Sequence, residues 1–246
     1  MDKLLYVSMS GAKETLRAQG ANNHNLANAS TTGFRADLSA FQSRAVTGTG
    51  YASRVYATNS STGWDDTSGS MQATGRDLDI AMQGSGFIAV QGRDGQEAYT
   101  RVGDLHVDPS GMLVNGAGHI VMGDGGPISV PPTSSISVAG DGTISIVPLG
   151  QTPTTTATIG RIKLVNPATS TMVRGDDGLF RSKDGAAVPA DASVKVASGT
   201  LESSNVNVAN AMVHMIELAR NFDLQIKSIH NAEENGAAST QLLKSS

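Results

Sequence analysis

Both ends of the chain carry apolar residues spaced alternately four and three apart, and the stretch between them lacks that rhythm. Near the start the series is Leu5, Met9, Ala12, Leu16, then Asn23 and Leu26. Near the end it is Val208, Met212, Met215, Ala219, Phe222, Ile226 and Ile229. A repeat of about 3.5 residues belongs to helices that wind against other helices rather than lie on a globule. Glu217, Arg220, Asp223 and Lys227 fall between the later apolar positions, with Asp223 and Lys227 set as a supporting i,i+4 pair. The series runs on through Glu233, Gly236, Thr240 and Leu243, so its last turns are weakly apolar. Two such helices pair only if the chain doubles back between them.

The first run predicts a helix of about thirty residues, on the order of 45 Å long, opening at Asp2 as N-cap. Gly11 and Gly20 each cost it about 1 kcal/mol relative to alanine, a cost that simple tolerance or close helix–helix approach would explain. Asn22, Asn23, Asn25 and Asn28 crowd its last turns, and Ser30-Thr31-Thr32-Gly33 ends it, with Gly33 suited to a positive-φ turn.

Residues 36–76 are rich in Ser, Thr, Gly and Ala and show no dense apolar period, only short strand-like pieces such as Arg54-Val55-Tyr56-Ala57-Thr58. They read as an extended arm or connector. From Asp77 the pattern changes to β. Strand candidates are 77–82, 87–90, 97–102, 112–114, 119–122, 128–130, 136–138, 143–146 and 159–165. Asp94-Gly95, Asp108-Pro109-Ser110-Gly111, Asp141-Gly142, Asp177-Gly178 and Asp184-Gly185 punctuate them, and Asp-Gly between β-branched runs is a strong hairpin signal. Residues 152–156 read as a loop.

The expected fold class is therefore α+β and elongated. Residues 1–35 and 199–246 supply the two helices of a coiled-coil-like helical domain, 36–76 are an arm, and 77–198 are an inserted all-β, hairpin-rich domain.

Composition narrows function. A net charge of −4 over 246 residues argues against nucleic acid, which selects a basic face. There is no cysteine, so neither a disulfide framework nor a thiolate metal site is available. Lys13, Glu14 and Arg17 interrupt any signal-peptide core near the start, and no eighteen-residue apolar stretch offers a membrane span. A cytosolic location is expected unless the chain leaves by a route without a cleaved signal.

Candidate chemistry is sparse. Ser10-Gly11-Ala12-Lys13 matches the Ser-x-x-Lys nucleophile pattern, but its companion motifs are missing and it lies on the helical seam. Gly84-Ser85-Gly86 precedes a strand-like run and not a helix that could hold pyrophosphate, so it reads as a hairpin turn. His24, His106, His119, His214 and His230 are scattered, with no metal-ligand spacing. Asp77 and Asp79, beside Arg76, read as a solvated strand face. No enzyme, cofactor or metal site is expected.

Two passages, residues 25–34 and 199–207, resemble stretches of the bacterial flagellar rod and hook protein family. Asn25-Leu26-Ala27-Asn28-Ala29-Ser30-Thr31-Thr32-Gly33-Phe34 is similar to its Asn-Leu-Ala-Asn-x-x-Thr-x-Gly-Phe motif. Gly199-Thr200-Leu201-Glu202-Ser203-Ser204-Asn205-Val206-Asn207 is similar to the block before its C-terminal helix. Residues 75–81 and 84–87 resemble the start of its β domain, and 99–103 and 108–114 resemble a following hairpin. The opening twelve residues resemble proximal rod members more than distal ones, and there is no room for the extra domain of hook proteins. His24 departs from the family, which more often has asparagine there.

The resemblance implies subunits that stack helically, with copies of themselves and other rod proteins, proximal and distal, into a hollow rod across the periplasm. Their terminal helices would form an inner tube that serves as export channel, with the β domains outside. It implies export through the flagellar type III apparatus without signal cleavage, and no insertion into a membrane.

Overall fold

The computed structural model describes residues 4–45, 55–151 and 155–244. The Asp2 cap, Arg54 and the 152–154 part of the expected loop lie outside them.

Two helices stand at the ends, α1 (Leu4–Ala27) and α2 (Val208–Lys244). Strands fill the interval, beginning with β1 (Asp37–Ala45), β2 (Val55–Trp64), β3 (Met71–Ala73), β4 (Ile80–Gln83), β5 (Phe87–Gln91) and β6 (Glu97–Thr100). Next come β7 (Leu105–Val107), β8 (Leu113–Asn115), β9 (Ile120–Gly123), β10 (Gly126–Pro127), β11 (Thr133–Val138) and β12 (Thr143–Pro148). The series ends with β13 (Ala157–Arg161), β14 (Leu164–Val165), β15 (Met172–Arg174), β16 (Phe180–Ser182), β17 (Lys195–Ser198) and β18 (Thr200–Glu202). The fold is α+β.

The chain gathers into two compact units. One joins Met1–Ala29, Ala36–Asp65 and Val206–Ser246, and the other joins Ser30–Arg35 and Asp66–Asn205.

In the first unit α1 packs on α2 and on the antiparallel hairpin β1–β2. The hairpin occupies much of what reads from sequence as a connector. Its residues give little warning because most of β1 faces solvent, Leu38 and Phe41 included. A lone two-stranded hairpin is marginal in water and needs a support; here it is α1. Glu14, buried on that helix, accepts the Asn59 backbone N–H at 3.1 Å and an Arg17 Nη1–H at 2.8 Å. The Asn59 bond holds the Glu14 carboxyl below its ordinary range.

The second unit is β-rich. Among the described residues its largest sheet runs β15-β16-β6-β5-β9-β8-β7, with β10 beside β9 and β14 beside β5. A three-stranded sheet β11-β12-β13 packs with it around Ile80, Ile88, Leu105, Leu113, Ile144 and Ile162, all fully buried. Asp94-Gly95, Asp108–Gly111, Asp141-Gly142 and Asp177-Gly178 turn between consecutive strands, each final glycine at positive φ. Late strands return to early ones, β17 beside β4 and β18 beside β3.

Four local expectations need correction. Residues 128–130 form only an isolated bridge, Met112 to Ser129, because Pro127, Pro131 and Pro132 remove ladder donors around them. Asp184-Gly185 closes a turn after β16 and opens no hairpin. Gly84–Gly86 links β4 to β5, which are not paired with each other, so it is not a hairpin turn. Asp79 is not solvated: it is 1% exposed, with Arg76 Nη1 3.5 Å away, while Asp77 stays outside.

Candidate functional site

Helices α1 and α2 run antiparallel: Ser8 Oγ lies 3.1 Å from Ser228 Oγ, and Asn22 Nδ2 donates to the Ala211 carbonyl at 2.8 Å. The face that α1 buries is made of Ser8, Ala12, Thr15 and Ala18. Small side chains let the backbones approach closely, and the Thr15 hydroxyl is silenced by bonding back to the Gly11 carbonyl at 2.9 Å.

On α2 the line of covered positions is Ala211, Met215, Leu218, Phe222, Gln225, Ile229 and Ala232, with Ser228 covered beside it. They step by four and three, as the expected seam does, but in a register that shares only Met215, Phe222 and Ile229 with it. The remaining expected positions form a second line along the flank. Val208, Met212, Ala219 and Ile226 are exposed there, as are Val213, Ile216 and Leu224 nearby. On α1, Ala12 is buried and Leu5 and Leu26 are half-buried, but Met9 and Leu16 are 54% and 51% exposed. The period was readable, whereas which of two adjacent stripes its own partner helix covers depends on residue size across the contact.

The first motif is a set of backbone solutions. Asn25 uses both ends of its amide on Asp37, donating Nδ2–H to its carbonyl at 3.0 Å and accepting its N–H at 2.7 Å. His24 Nδ1 lies 2.6 Å from Asp37 Oδ2, so the residue that departs from the family takes part in the same joint. Asn28 Nδ2 donates to the His24 carbonyl at 2.9 Å, the same oxygen that accepts the Asn28 backbone N–H at 3.2 Å. Leu26 is half-buried and Ala27 exposed.

Gly33 has φ +65°, and an added Cβ would stand 2.4 Å from the Arg101 carbonyl oxygen, so only glycine fits. Its N–H donates to the Glu202 carbonyl at 2.8 Å. Phe34 is buried, with the Arg174 guanidinium 4.4 Å from its ring centroid.

The second motif closes on the first. Leu201 pairs with Gln72, Asn205 N–H donates to the Phe34 carbonyl, and Asn205 Nδ2 donates to the Thr67 carbonyl. Ser204 and Val206 are half-buried. Asn207 Oδ1 accepts the Asn210 N–H and caps α2.

The Glu202 carboxylate is fully buried between two arginines, Arg35 Nη2 at 2.8 Å and Arg101 Nη1 at 3.1 Å, and it also accepts the Gly69 N–H. Arg35 and Arg101 escape sequence reasoning because neither sits in a recognisable spacing with Glu202. A basic residue directly after the Gly-Phe of the motif was the available hint. Burial, and then the neighbouring Arg35 charge, hold Arg101 below its ordinary range.

Among the described residues no cluster of His, Asp and Glu could hold a metal ion. The arrangement joins chain segments and offers an apolar helical flank.

Comparison with known proteins identifies the family. Residues 81–146 match the family described as flagellar hook protein FlgE/F/G D1 domain, and residues 197–242 match the flagellar basal body rod FlgEFG protein C-terminal family. The flagellar basal-body rod protein FlgF of Salmonella typhimurium is 45% identical over 252 positions, covering 100% of both chains. FlgF of Escherichia coli is 44% identical with the same coverage. FlgG of Bacillus subtilis is 31% identical over 95% of this chain and 96% of its own. The chain belongs to the family of flagellar basal-body rod proteins, and its whole length aligns with the FlgF proteins of Salmonella typhimurium and Escherichia coli.

Proposed function

We infer that this chain is a structural subunit of the flagellar basal-body rod, in its proximal part, and not an enzyme. The observation that carries the reading is the 45% identity to a FlgF protein over 100% of both chains. The alternative of a distal subunit is weaker, since the FlgG relative named above stands at 31%. A secreted cell-wall hydrolase has no support among relatives named as rod proteins.

The finer reading concerns how the subunit assembles. Its α1–α2 pair would enter a coiled-coil-like inner tube, with the exposed flank of Met9, Leu16, Met212, Ala219 and Ile226 packing against copies of the chain and other rod proteins. Large apolar side chains left in water on both helices, Met9, Leu16, Met212 and Ile226 among them, favour that role, because each gains about 1.5–3 kcal/mol when fully covered. Passage through the type III export apparatus in an unfolded state, with no cleaved signal, completes the reading. No described helix is long and apolar enough to cross a membrane.

Electron microscopy of purified basal bodies carrying a labelled copy tests this. Label on the rod near its base is expected. Label confined to the hook, or missing from intact basal bodies, would overturn the assignment.

A further inference from the structure

We infer that Glu202 is a positioning residue that makes the segments bearing the two family motifs order together on the β-rich unit or not at all. Three charged side chains, Arg35, Arg101 and Glu202, are each no more than 2% exposed. Two guanidiniums share the one buried carboxylate, with Asp66 adding a weaker attraction to Arg101, and neither arginine Nε has a hydrogen-bond partner among the described residues. Arg35 Nη2 is close to Glu202 Oε1 in charge but not aligned with it as a hydrogen bond.

Such a cluster is a poor way to gain stability. Desolvating three charges costs several kcal/mol per ion, and apolar residues of similar volume serve as well or better. What it supplies is a condition. Removing the one carboxylate leaves two guanidiniums buried against each other, so the surrounding segments must open to let water in.

The carboxylate ties its own strand to three distant stretches of chain. It binds Arg35 just after the first motif, Gly69 before β3 and Arg101 after β6, and it is itself part of β18. Main-chain bonds reinforce the same set: Gly33 N–H to the Glu202 carbonyl, Ser203 N–H to the Ser70 carbonyl and Thr74 N–H to the Gly199 carbonyl. There is no slack in the stack. A Cβ on Gly69 would fall 2.0 Å from the Ser203 carbonyl oxygen. The aliphatic core of Ile88, Leu113 and Ile144 includes none of these residues, so it can persist when the clasp opens.

Hydrogen exchange on the full chain, read peptide by peptide, tests the inference. In Glu202→Gln, peptides covering 30–35, 69–74 and 199–205 should lose protection together by at least tenfold, while those covering β5, β8 and β12 stay unchanged. In Arg35→Met the Arg101–Glu202 pair survives, so only 30–35 should loosen. Loss confined to 199–205 in Glu202→Gln would overturn the coupling. Equal loss across the β core would overturn it too, because Glu202 would then be a general stabiliser. Loosening of all three segments in Arg35→Met would remove Glu202 from its central place.

Discussion

A methyl group on Gly11 would stand 3.0 Å from the side-chain amide carbon of Gln225, on the facing helix. The contact is tight, but the neighbour is the movable end of a long side chain. Replacing a mid-helix glycine by alanine gains about 1 kcal/mol of helix propensity, and a small rotation of Gln225 costs less than that. Gly11→Ala should therefore hold or raise the melting temperature of the helical signal in the full chain. Gly11→Leu has no such escape and should lower it by several degrees. Circular dichroism at 222 nm distinguishes them.

Acid should weaken the β-rich unit through its turns. Ser110 Oγ–H holds Asp108 below its ordinary range, the Thr143 N–H does so for Asp141, Arg181 for Asp177 and Ser193 Oγ–H for Asp191. A carboxyl whose folded pKa is depressed adds stability above its unfolded value, about 4, and loses it as pH falls through the folded value. Melting should thus be flat from pH 7 to 5 and fall steeply below pH 4. Asp141→Asn keeps the turn acceptor but cannot titrate, so its melting curve should fall less between pH 4 and pH 2. A melt independent of pH down to 2 would contradict the linkage.

Gly103 and Gly160 give opposite forecasts for the same substitution. A Cβ on Gly103 would lie 1.7 Å from the Ile80 carbonyl oxygen, which accepts no compromise because it is backbone. Gly160, inside β13, has nothing within 4 Å. Gly103→Ala should destabilise by about 3 kcal/mol or more, and Gly160→Ala should be neutral or slightly stabilising. Calorimetry of the two variants checks both signs.

How much of this was readable before the structure varies with the kind of residue. The two helices declare themselves through their period, and the turns through Asp-Gly, although each of these glycines takes its positive φ at the position after the turn and each Asp keeps a negative φ, so none is a primed two-residue turn. Hairpin β1–β2 is silent because its strands bury little, and what ties them to α1 is a few polar contacts distant in sequence, Glu14 to Asn59 and Asn25 to Asp37. The clasp around Glu202 is silent for a related reason. A buried ion cluster depends on residues far apart in sequence, and Arg35 and Arg101 look like ordinary surface arginines until β18 is placed beside β3.

The seam carries the sharpest test. Phe222 and Ile226 both belong to the expected α2 stripe, but the structure separates them. Phe222 is half-buried on the covered line, while Ile226 is 45% exposed on the flank. Phe222→Ala should therefore lower the helical melt of the isolated chain, though by less than the ~3–5 kcal/mol typical of a fully buried phenylalanine. A near-silent Phe222 is not expected, since part of its packing lies within its own subunit. Ile226→Asp should cost the isolated chain about 1 kcal/mol or less, as surface changes usually do. If the flank is covered in the rod, the same carboxylate would there be buried among apolar neighbours without a partner. Cells carrying Ile226→Asp should make and export the protein yet complete few rods and spread poorly in soft agar. Full motility with an assembled Ile226→Asp subunit would mean that this flank stays in water, and another surface would have to hold the subunits together.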